Sequence, residues 1–207
     1  MSEHDTKHRI LQASFELFSR FGIKSVTMDD IAKHLSMSKK TIYQFFRDKD
    51  EVVHTLLEQR LLLDCAEFEE ISKKAPNVVE EVFSHMKKLH KMFLNANPNM
   101  YYDLRKHHPR TWQLVTNFRN DTGLGTVVRA LEKGKSDGLV RPDVNSQILA
   151  RLRMEEIELG FNPTIFPPDQ HTIIDVQIAM VEHFLYGVCT LKGHKLINKI
   201  KEINEEE

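Results

Sequence analysis

Apolar residues recur at helical spacing along most of the chain, and short polar segments separate the helices that they predict. The first periodic pattern covers residues 6–21 and stops before Gly22, a residue type that often follows the last turn of a helix. Thr27 is predicted to cap a second helix, and Ser38 a third. The sequence therefore predicts three short helices within residues 6–46.

Carboxylates support two of the predicted helix starts. Asp30 lies three residues after Thr27, so its side chain can return a hydrogen bond to the Thr27 backbone in a variant of the capping box. Asp48 and Glu51 have the same spacing and open a fourth, longer helix. The turn of about three residues between the second and third helices favours a helix-turn-helix. A generic three-helix bundle, which also has short turns, is the alternative.

The rest of the chain, residues 50–207, also has helical periodicity, with prolines and glycines between the periodic segments. The sequence thus predicts an all-α fold. The helices predicted in this part span residues 50–74, 78–95, 99–107, 110–137, 145–159 and 170–202.

Charge placement distinguishes the two interpretations of the first three helices. The first 50 residues contain nine Lys/Arg and seven Asp/Glu, although the whole chain has a net charge of −1. Lys39 and Lys40 occupy the first two positions of the third helix, and Lys49 the first position of the fourth. Cations at these positions oppose the helix dipole, whereas helix N-termini and lysine both bind phosphate. The pattern therefore indicates a helix-turn-helix that contacts nucleic acid.

Composition limits the remaining possibilities. The chain is 41% hydrophobic, enough for a sizeable core, yet no stretch approaches the roughly 18 apolar residues of a membrane span. The N-terminal residues are polar and lack the apolar segment of a secretion signal. Cys65 and Cys189 are isolated, so we expect two free thiols and a cytoplasmic location.

The eleven histidines do not form a recognisable metal motif. His107 and His108 are adjacent, and neighbouring side chains on a helix point about 100° apart, which prevents easy sharing of one ion. No hydrolase, metalloprotease or phosphate-loop motif occurs. We therefore predict no catalytic residue, no metal ligand and no cofactor.

A set of landmark residues lies within the segment from Ile10 to Val53: Phe18, Gly22, Thr27, Ile31, Ala32, Ser38, Lys39, Thr41, Ile42, Tyr43, Phe46 and Lys49. With these landmarks the segment resembles the DNA-binding domain of the TetR (tetracycline-repressor) family of transcriptional regulators. Two positions depart from the family pattern: Ser36 stands where the turn usually has glycine, and Lys40 where a small residue is often found.

The resemblance implies that the third helix enters the major groove of DNA. Ile31, Ala32, Ile42 and Phe46 then belong to the core, and Tyr43 has an alternative role as a half-buried aromatic residue with a solvated hydroxyl. The residues implied to contact base edges or phosphates are Thr27, Ser38, Lys39, Lys40, Thr41, Tyr43, Gln44 and Lys49.

The resemblance also implies two domains, a helix-turn-helix domain at 1–49 and an effector-binding and dimerisation domain at 50–207. In this family the last two helices form a two-fold four-helix bundle with a partner chain. The alternative is that their apolar faces pack only within one chain. The implied dimer residues are Ile148, Leu149, Leu152, Ile178, Val181, Phe184, Leu185 and Val188.

An effector pocket in the second domain is a further implication of the resemblance. Aromatic and methionine side chains suit a hydrophobic or aromatic small molecule, although the same residues are ordinary core components. The predicted pocket residues are Phe68, Met86, His90, Tyr101, Tyr102, Trp112, Phe118 and Met154.

Together these features predict a ligand-responsive repressor that binds an inverted-repeat operator as a homodimer. The alternative is a helical dimer that binds a ligand or a protein and has lost operator binding.

Overall fold

Helices form the regular structure of this protein. The computed structural model describes residues 3–93, 97 and 99–203. Over these ranges a single isolated antiparallel bridge, between Val140 and Cys189, accompanies the helices, so the predicted all-α fold is confirmed. The helices are α1 (Glu3–Phe21), α2 (Met28–His34), α3 (Lys39–Phe45), α4 (Lys49–Lys74), α5 (Val78–Phe93), α6 (Met100–His107), α7 (Pro109–Phe118), α8 (Leu124–Ser136), α9 (Ser146–Leu159), α10 (Ile173–Val188) and α11 (Leu191–Ile200), with a π-helical turn at Arg119–Gly123.

Two of the predicted helices are interrupted. The π-helical turn divides the helix predicted at 110–137. The single helix predicted at 170–202 is wrong, because α10 ends before Cys189 and Thr190 caps α11 by accepting a hydrogen bond from the Gly193 amide. Cys189 has extended backbone and pairs with Val140 instead of continuing the helix. No helix of the described residues is both long and apolar enough to cross a lipid bilayer.

The chain divides into two compact units. The first unit comprises the described residues within 1–65 and 92–117, so α4 contributes residues to both units. The division that we predicted between residues 49 and 50 follows the family resemblance and stays a prediction. The core of the first unit is made of Ile10, Leu11, Phe18, Ile23, Val26, Met28, Ile31, Ala32, Ile42, Phe46, Val52, Val53 and Leu104.

The second unit comprises the described residues within 66–91 and 118–207. Close packing of α8 depends on Gly134, because a Cβ atom there would lie 2.5 Å from Val140 Cγ2 and 2.9 Å from Val78 Cγ1. The core of this unit is made of Val78, Val79, Leu131, Leu139, Val140, Val144, Ala150, Phe184, Leu185, Val188, Cys189 and Ile197.

Candidate nucleic-acid interface

A tight turn with left-handed backbone joins α2 to α3. The Ser36 amide donates to Lys33 O at 3.0 Å, and the Met37 amide donates to Ala32 O at 2.9 Å. This pair of hydrogen bonds is the Schellman pattern, which places the residue after the C-cap in the left-handed region. Ser36 has a φ of 54°, so a side chain occupies a backbone conformation that glycine adopts more easily. The turn fixes the direction in which α3 leaves α2.

The capping box predicted at the start of α2 is confirmed. Thr27 Oγ1 accepts from the Asp30 amide at 3.2 Å, and the Asp30 carboxylate accepts from the Thr27 amide at 2.9 Å. The Thr27 hydroxyl also donates to that carboxylate at 2.6 Å. These hydrogen bonds, the one from the Thr27 side chain first, lower the pKa of Asp30. Thr27, a predicted phosphate contact, thus already has a structural role.

Ser38 caps α3 as predicted. Its Oγ accepts from the Thr41 amide at 3.0 Å and lies 2.8 Å from Thr41 Oγ1. Two predicted DNA contacts, Ser38 and Thr41, therefore bind each other at the N-terminus of α3. Both hydroxyls retain lone pairs or protons for a further partner, as hydroxyl groups can donate and accept.

The two faces of α3 have opposite character. Ile42 and Phe46 are buried together with Ile31 and Ala32 of α2, as predicted from the family resemblance. Tyr43 has 43% of its surface exposed, which agrees both with an outward phosphate contact and with the half-buried alternative, so its role stays a prediction. The four exposed side chains of α3, none of which caps the helix, are Lys39, Lys40, Tyr43 and Gln44.

The cations at the start of α3 differ in their partners. Lys39 Nζ lies 2.9 Å from Asp29 Oδ1, and the hydrogen bond to Asp29 raises the pKa of Lys39. Asp29 therefore supplies Lys39 with a complementary charge at the N-terminus of α3, where the helix dipole opposes a cation. Lys40 is exposed and forms no ion pair or hydrogen bond with another residue in the described part of the chain.

Lys49 binds the protein itself. Its Nζ donates to Ile23 O and Val26 O, each at 2.9 Å. Burial lowers the pKa of Lys49, and the charge of Asp103 acts in the opposite direction. The ammonium group thus fixes the start of α4 to the loop between α1 and α2. The predicted phosphate contact of Lys49 stays a prediction, but this side chain has a structural function that its position in the sequence did not reveal.

Helix α6 reaches the same loop through Asp103. The buried Asp103 carboxylate accepts a hydrogen bond from the Lys24 amide at 2.9 Å. Gly22 permits this approach, because its φ is 82° and a Cβ atom there would lie 3.3 Å from Asp103 Oδ2. Nearby, His108 Nδ1 lies 2.6 Å from Asp50 Oδ1. The sequence did not reveal the buried contacts of Asp103 and His108, since polar residues give no periodic signal that distinguishes burial from exposure.

The predicted pocket residues fall into both units. Tyr101, Tyr102 and Trp112 belong to the first unit, where the rings of Tyr101 and Trp112 meet edge to face with centroids 4.9 Å apart. Met154 is buried in the second unit, while His90 is exposed. Phe68, Met86 and Phe118 also belong to the second unit and are partly buried. Their assignment to a pocket stays a prediction.

Sequence analysis also missed buried polar side chains in the second unit. Arg153 is 7% exposed and lies 3.4 Å from Glu156, and its burial lowers its pKa. Gln177 is buried too, and its Nε2 donates to Ile157 O at 2.9 Å. Neither side chain was a candidate, since polar residues give no periodic signal that distinguishes burial from exposure.

The predicted dimer residues divide into two groups. Ile148 and Leu152 lie one turn apart on α9 and are 62% and 49% exposed. Leu149 and Ile178 are partly buried. The other four pack within the core of one chain and leave little surface for a partner, as in the alternative interpretation; they are Val181, Phe184, Leu185 and Val188.

Comparisons with known proteins identify the helix-turn-helix region. The sequence pattern described as "Bacterial regulatory proteins, tetR family" matches residues 10–56. The helix-turn-helix transcriptional regulator YvaF of Bacillus subtilis (strain 168) is 25% identical over 185 residues, covering 87% of this chain and 94% of YvaF.

Solved structures show the same fold over the whole chain. A TetR-family transcriptional regulator from Marinobacter aquaeolei VT8 has a TM-score of 0.75 and 20% identity, with 98% of each chain covered. A transcriptional regulator from Saccharomonospora viridis, in complex with choline, has a TM-score of 0.71 and 16% identity, covering 91% of this chain and all of that one. The fold extends well beyond the matched helix-turn-helix.

Proposed function

Since this chain belongs to the TetR family and is a DNA-binding transcriptional regulator, we propose that it is a ligand-responsive repressor that binds an inverted-repeat operator as a homodimer. The observation that carries this proposal is the division of α3 into a buried apolar face and an exposed polar face. A helix with this division, set at a fixed angle by a short turn, suits the major groove of DNA.

The exposed face supplies the chemistry of recognition. In our proposal, Lys40 and Gln44 meet base edges or adjacent phosphates, because lysine pairs with guanine and glutamine with adenine. Tyr43 binds a phosphate through its hydroxyl group and fixes the register. Lys39 contacts the same region of the DNA after it leaves Asp29.

A homodimer follows from the small size of the reading surface. One helix-turn-helix makes too few base contacts for a unique genomic site, whereas two related by a two-fold axis read an inverted repeat. The exposed apolar pair Ile148 and Leu152 on α9 supports a partner on this face. We assign the dimer to this part of α9 and to the surface of α10.

Effector control requires a connection to the helix-turn-helix. Lys49 at the start of α4 and Asp103 of α6 both bind the loop between α1 and α2, which leads directly into the cap of α2. We propose that an effector favours one arrangement of α4 and α6 and thereby changes the spacing of the two α3 helices. It does so only if it binds the two arrangements with different affinities.

The proposed effector is a hydrophobic or aromatic small molecule in the second domain. Of the residues that we named, those in the second unit supply apolar contact, and the buried Arg153 and Gln177 of the same unit supply polar groups that fix orientation. The apolar residues are Phe68, Met86, Phe118 and Met154. The Saccharomonospora viridis relative contains choline, so a small organic molecule is compatible with this fold in one relative.

Selection of binding sites from a random duplex library tests the proposal. Purified protein at about 150 mM salt, where non-specific attraction is much reduced, should enrich one sequence with two-fold symmetry. The control is the double variant Lys40→Ala with Gln44→Ala, which removes two exposed side chains of α3 and should lose that enrichment. A folded protein that enriches nothing, with and without cell extract as a source of effector, would support the alternative of a ligand- or protein-binding dimer.

A further inference from the structure

An ion pair joins the two helices of the helix-turn-helix at the surface that we propose for DNA. Asp29 lies in the first turn of α2, and Lys39 is the first residue of α3. Their charged atoms are 2.9 Å apart, and each side chain is about half exposed. Lys39 therefore has an anionic partner before any DNA is present.

The two partners stand in unequal electrostatic positions. Asp29 lies at the N-terminus of α2, where the helix dipole favours a negative charge, so it is well placed without Lys39. Lys39 lies at the N-terminus of α3, where the dipole disfavours a cation. Exposed ion pairs contribute little to stability because water and salt screen them. A phosphate is therefore able to take the place of Asp29 as the partner of Lys39.

We propose that Asp29 competes with DNA phosphates for the ammonium group of Lys39 and so limits the sequence-independent affinity of the protein for DNA. This inference rests on the proposed contact between α3 and DNA. Asp29 thus acts through Lys39, while Lys40, which has no described protein partner, needs no such exchange.

The exchange of Asp29 for a phosphate as the partner of Lys39 changes how DNA binding depends on salt concentration. Each new lysine–phosphate contact releases about one counterion from DNA. When Lys39 leaves Asp29, the freed carboxylate attracts a cation from solution and cancels part of that release. Replacing Asp29 by a neutral residue should therefore strengthen binding and make it more sensitive to salt.

A double-mutant cycle tests this mechanism. Binding of a duplex of random sequence is measured by fluorescence anisotropy between 50 and 200 mM salt, for the wild type, Asp29→Asn, Lys39→Met and the double variant. Asp29→Asn should tighten binding about three- to tenfold at the lowest salt and raise the magnitude of the log–log salt slope by up to about one. Lys39→Met should weaken binding, and the double variant should bind like Lys39→Met.

Two further variants separate this mechanism from simpler causes. Glu16→Gln removes the same charge from α1, where Glu16 pairs with His34 instead of Lys39, and should change affinity much less. Asp29→Glu keeps the charge and should restore nearly wild-type binding. Thermal unfolding confirms that each variant is folded.

Three outcomes would overturn the inference. An equal gain for Glu16→Gln would assign the effect to net charge. If the double variant bound DNA more tightly than Lys39→Met alone, the effect of Asp29 would come from direct repulsion of phosphate. A loss of affinity in Asp29→Asn would make Asp29 a supporting residue. If the wild type binds no DNA and Lys39→Met changes nothing, the proposed function itself fails.

Discussion

At the scale of single residues, the turn between α2 and α3 stores a local strain that can be relieved. Ser36 occupies the left-handed region with φ of 54°, which costs an L-residue roughly 1–2 kcal/mol. Glycine removes this cost but adds freedom to the unfolded chain. We expect Ser36→Gly to raise the free energy of unfolding by about 0.5–1 kcal/mol in chemical denaturation.

The matched control for this prediction is Ser36→Ala, which keeps the strained backbone. It should leave the free energy of unfolding nearly unchanged, because the Ser36 side chain is exposed. A glycine variant no more stable than the alanine variant would show that the turn tolerates serine without strain.

Two lysines at helix starts should respond differently to the same substitution. Lys49→Met leaves Ile23 O and Val26 O without their donor, and we expect a loss of about 1–3 kcal/mol in the free energy of unfolding. Lys40→Met should cause no such loss, because Lys40 is exposed and binds no described residue. Operator affinity should fall in Lys40→Met, and the salt slope should decrease by about one.

Chemical denaturation of both variants, followed by anisotropy titration of the Lys40 variant, checks this prediction. If Lys49→Met were as stable as the wild type, the hydrogen bonds from Lys49 to the two carbonyl groups would not contribute to the free energy of unfolding. If Lys40→Met bound DNA with an unchanged salt slope, Lys40 would not contact phosphate.

At this scale, contacts between residues close together in the sequence could be predicted, whereas contacts between residues far apart in the sequence could not. The caps at Thr27 and Ser38 involve partners three residues away, so their spacing was visible in the sequence and both were confirmed. The contact from Asp103 to the Lys24 amide spans 79 positions, and no local pattern encodes it. The pair between Lys39 and Asp29 was missed because it requires the angle between two helices.

At the scale of helices, periodicity located the elements but not their interruptions. Apolar spacing predicted α4 and α9 to within one residue at each end. It predicted one helix where α10 and α11 stand, since the apolar pattern continues through Cys189 and Thr190. The break depends on pairing with Leu139 and Val140, because the Thr190 amide donates to Leu139 O at 2.9 Å. Such tertiary contacts produce no recognisable pattern in the local sequence.

The packing of α8 gives a prediction that compares two glycines of the same helix. Gly134→Ala places a methyl group 2.5 Å from Val140 Cγ2, and both this valine and Val78 are buried, so neither can move freely. We expect the free energy of unfolding to fall by about 1–3 kcal/mol. Gly125→Ala meets no atom within 4 Å and should raise it by about 0.5–1 kcal/mol through helix propensity.

Thermal and chemical denaturation of the two alanine variants, side by side, measure this difference. Because both substitutions are glycine to alanine in α8, their effects on the unfolded chain are similar and the comparison isolates the contact. Equal stabilities would mean that the segment containing Val140 shifts away at no cost.

At the scale of the whole molecule, the sequence predicted the fold class and the helix-turn-helix, because both depend on local periodicity and capping. The residues of the dimer surface were harder to predict from the sequence than the fold class. Apolar residues at helical spacing on α10 were assigned to a partner, yet Val181 and Leu185 are buried within one chain. Periodicity identifies an apolar face but does not state which neighbour covers it.

The remaining exposed apolar residues of α9 give the last prediction, which concerns assembly. A charge introduced at Ile148 and Leu152, which are 62% and 49% exposed, leaves the core of one chain intact but opposes burial against a second copy. We therefore expect Ile148→Glu with Leu152→Glu to convert a dimer into a folded monomer in sedimentation velocity experiments. Operator affinity should then fall about a hundredfold or more, because one reading helix makes too few contacts for a specific site.

The control for this prediction is Gln147→Glu, which adds a negative charge to the exposed first turn of α9 beside the apolar pair. It should remain a dimer, because it replaces a polar residue and adds a charge at the end of the helix that favours it. A double variant that stays dimeric would assign the interface to another surface. A wild-type protein that is monomeric yet binds an inverted repeat tightly would mean that the DNA itself brings the two copies together, so the apolar pair on α9 would need a different partner.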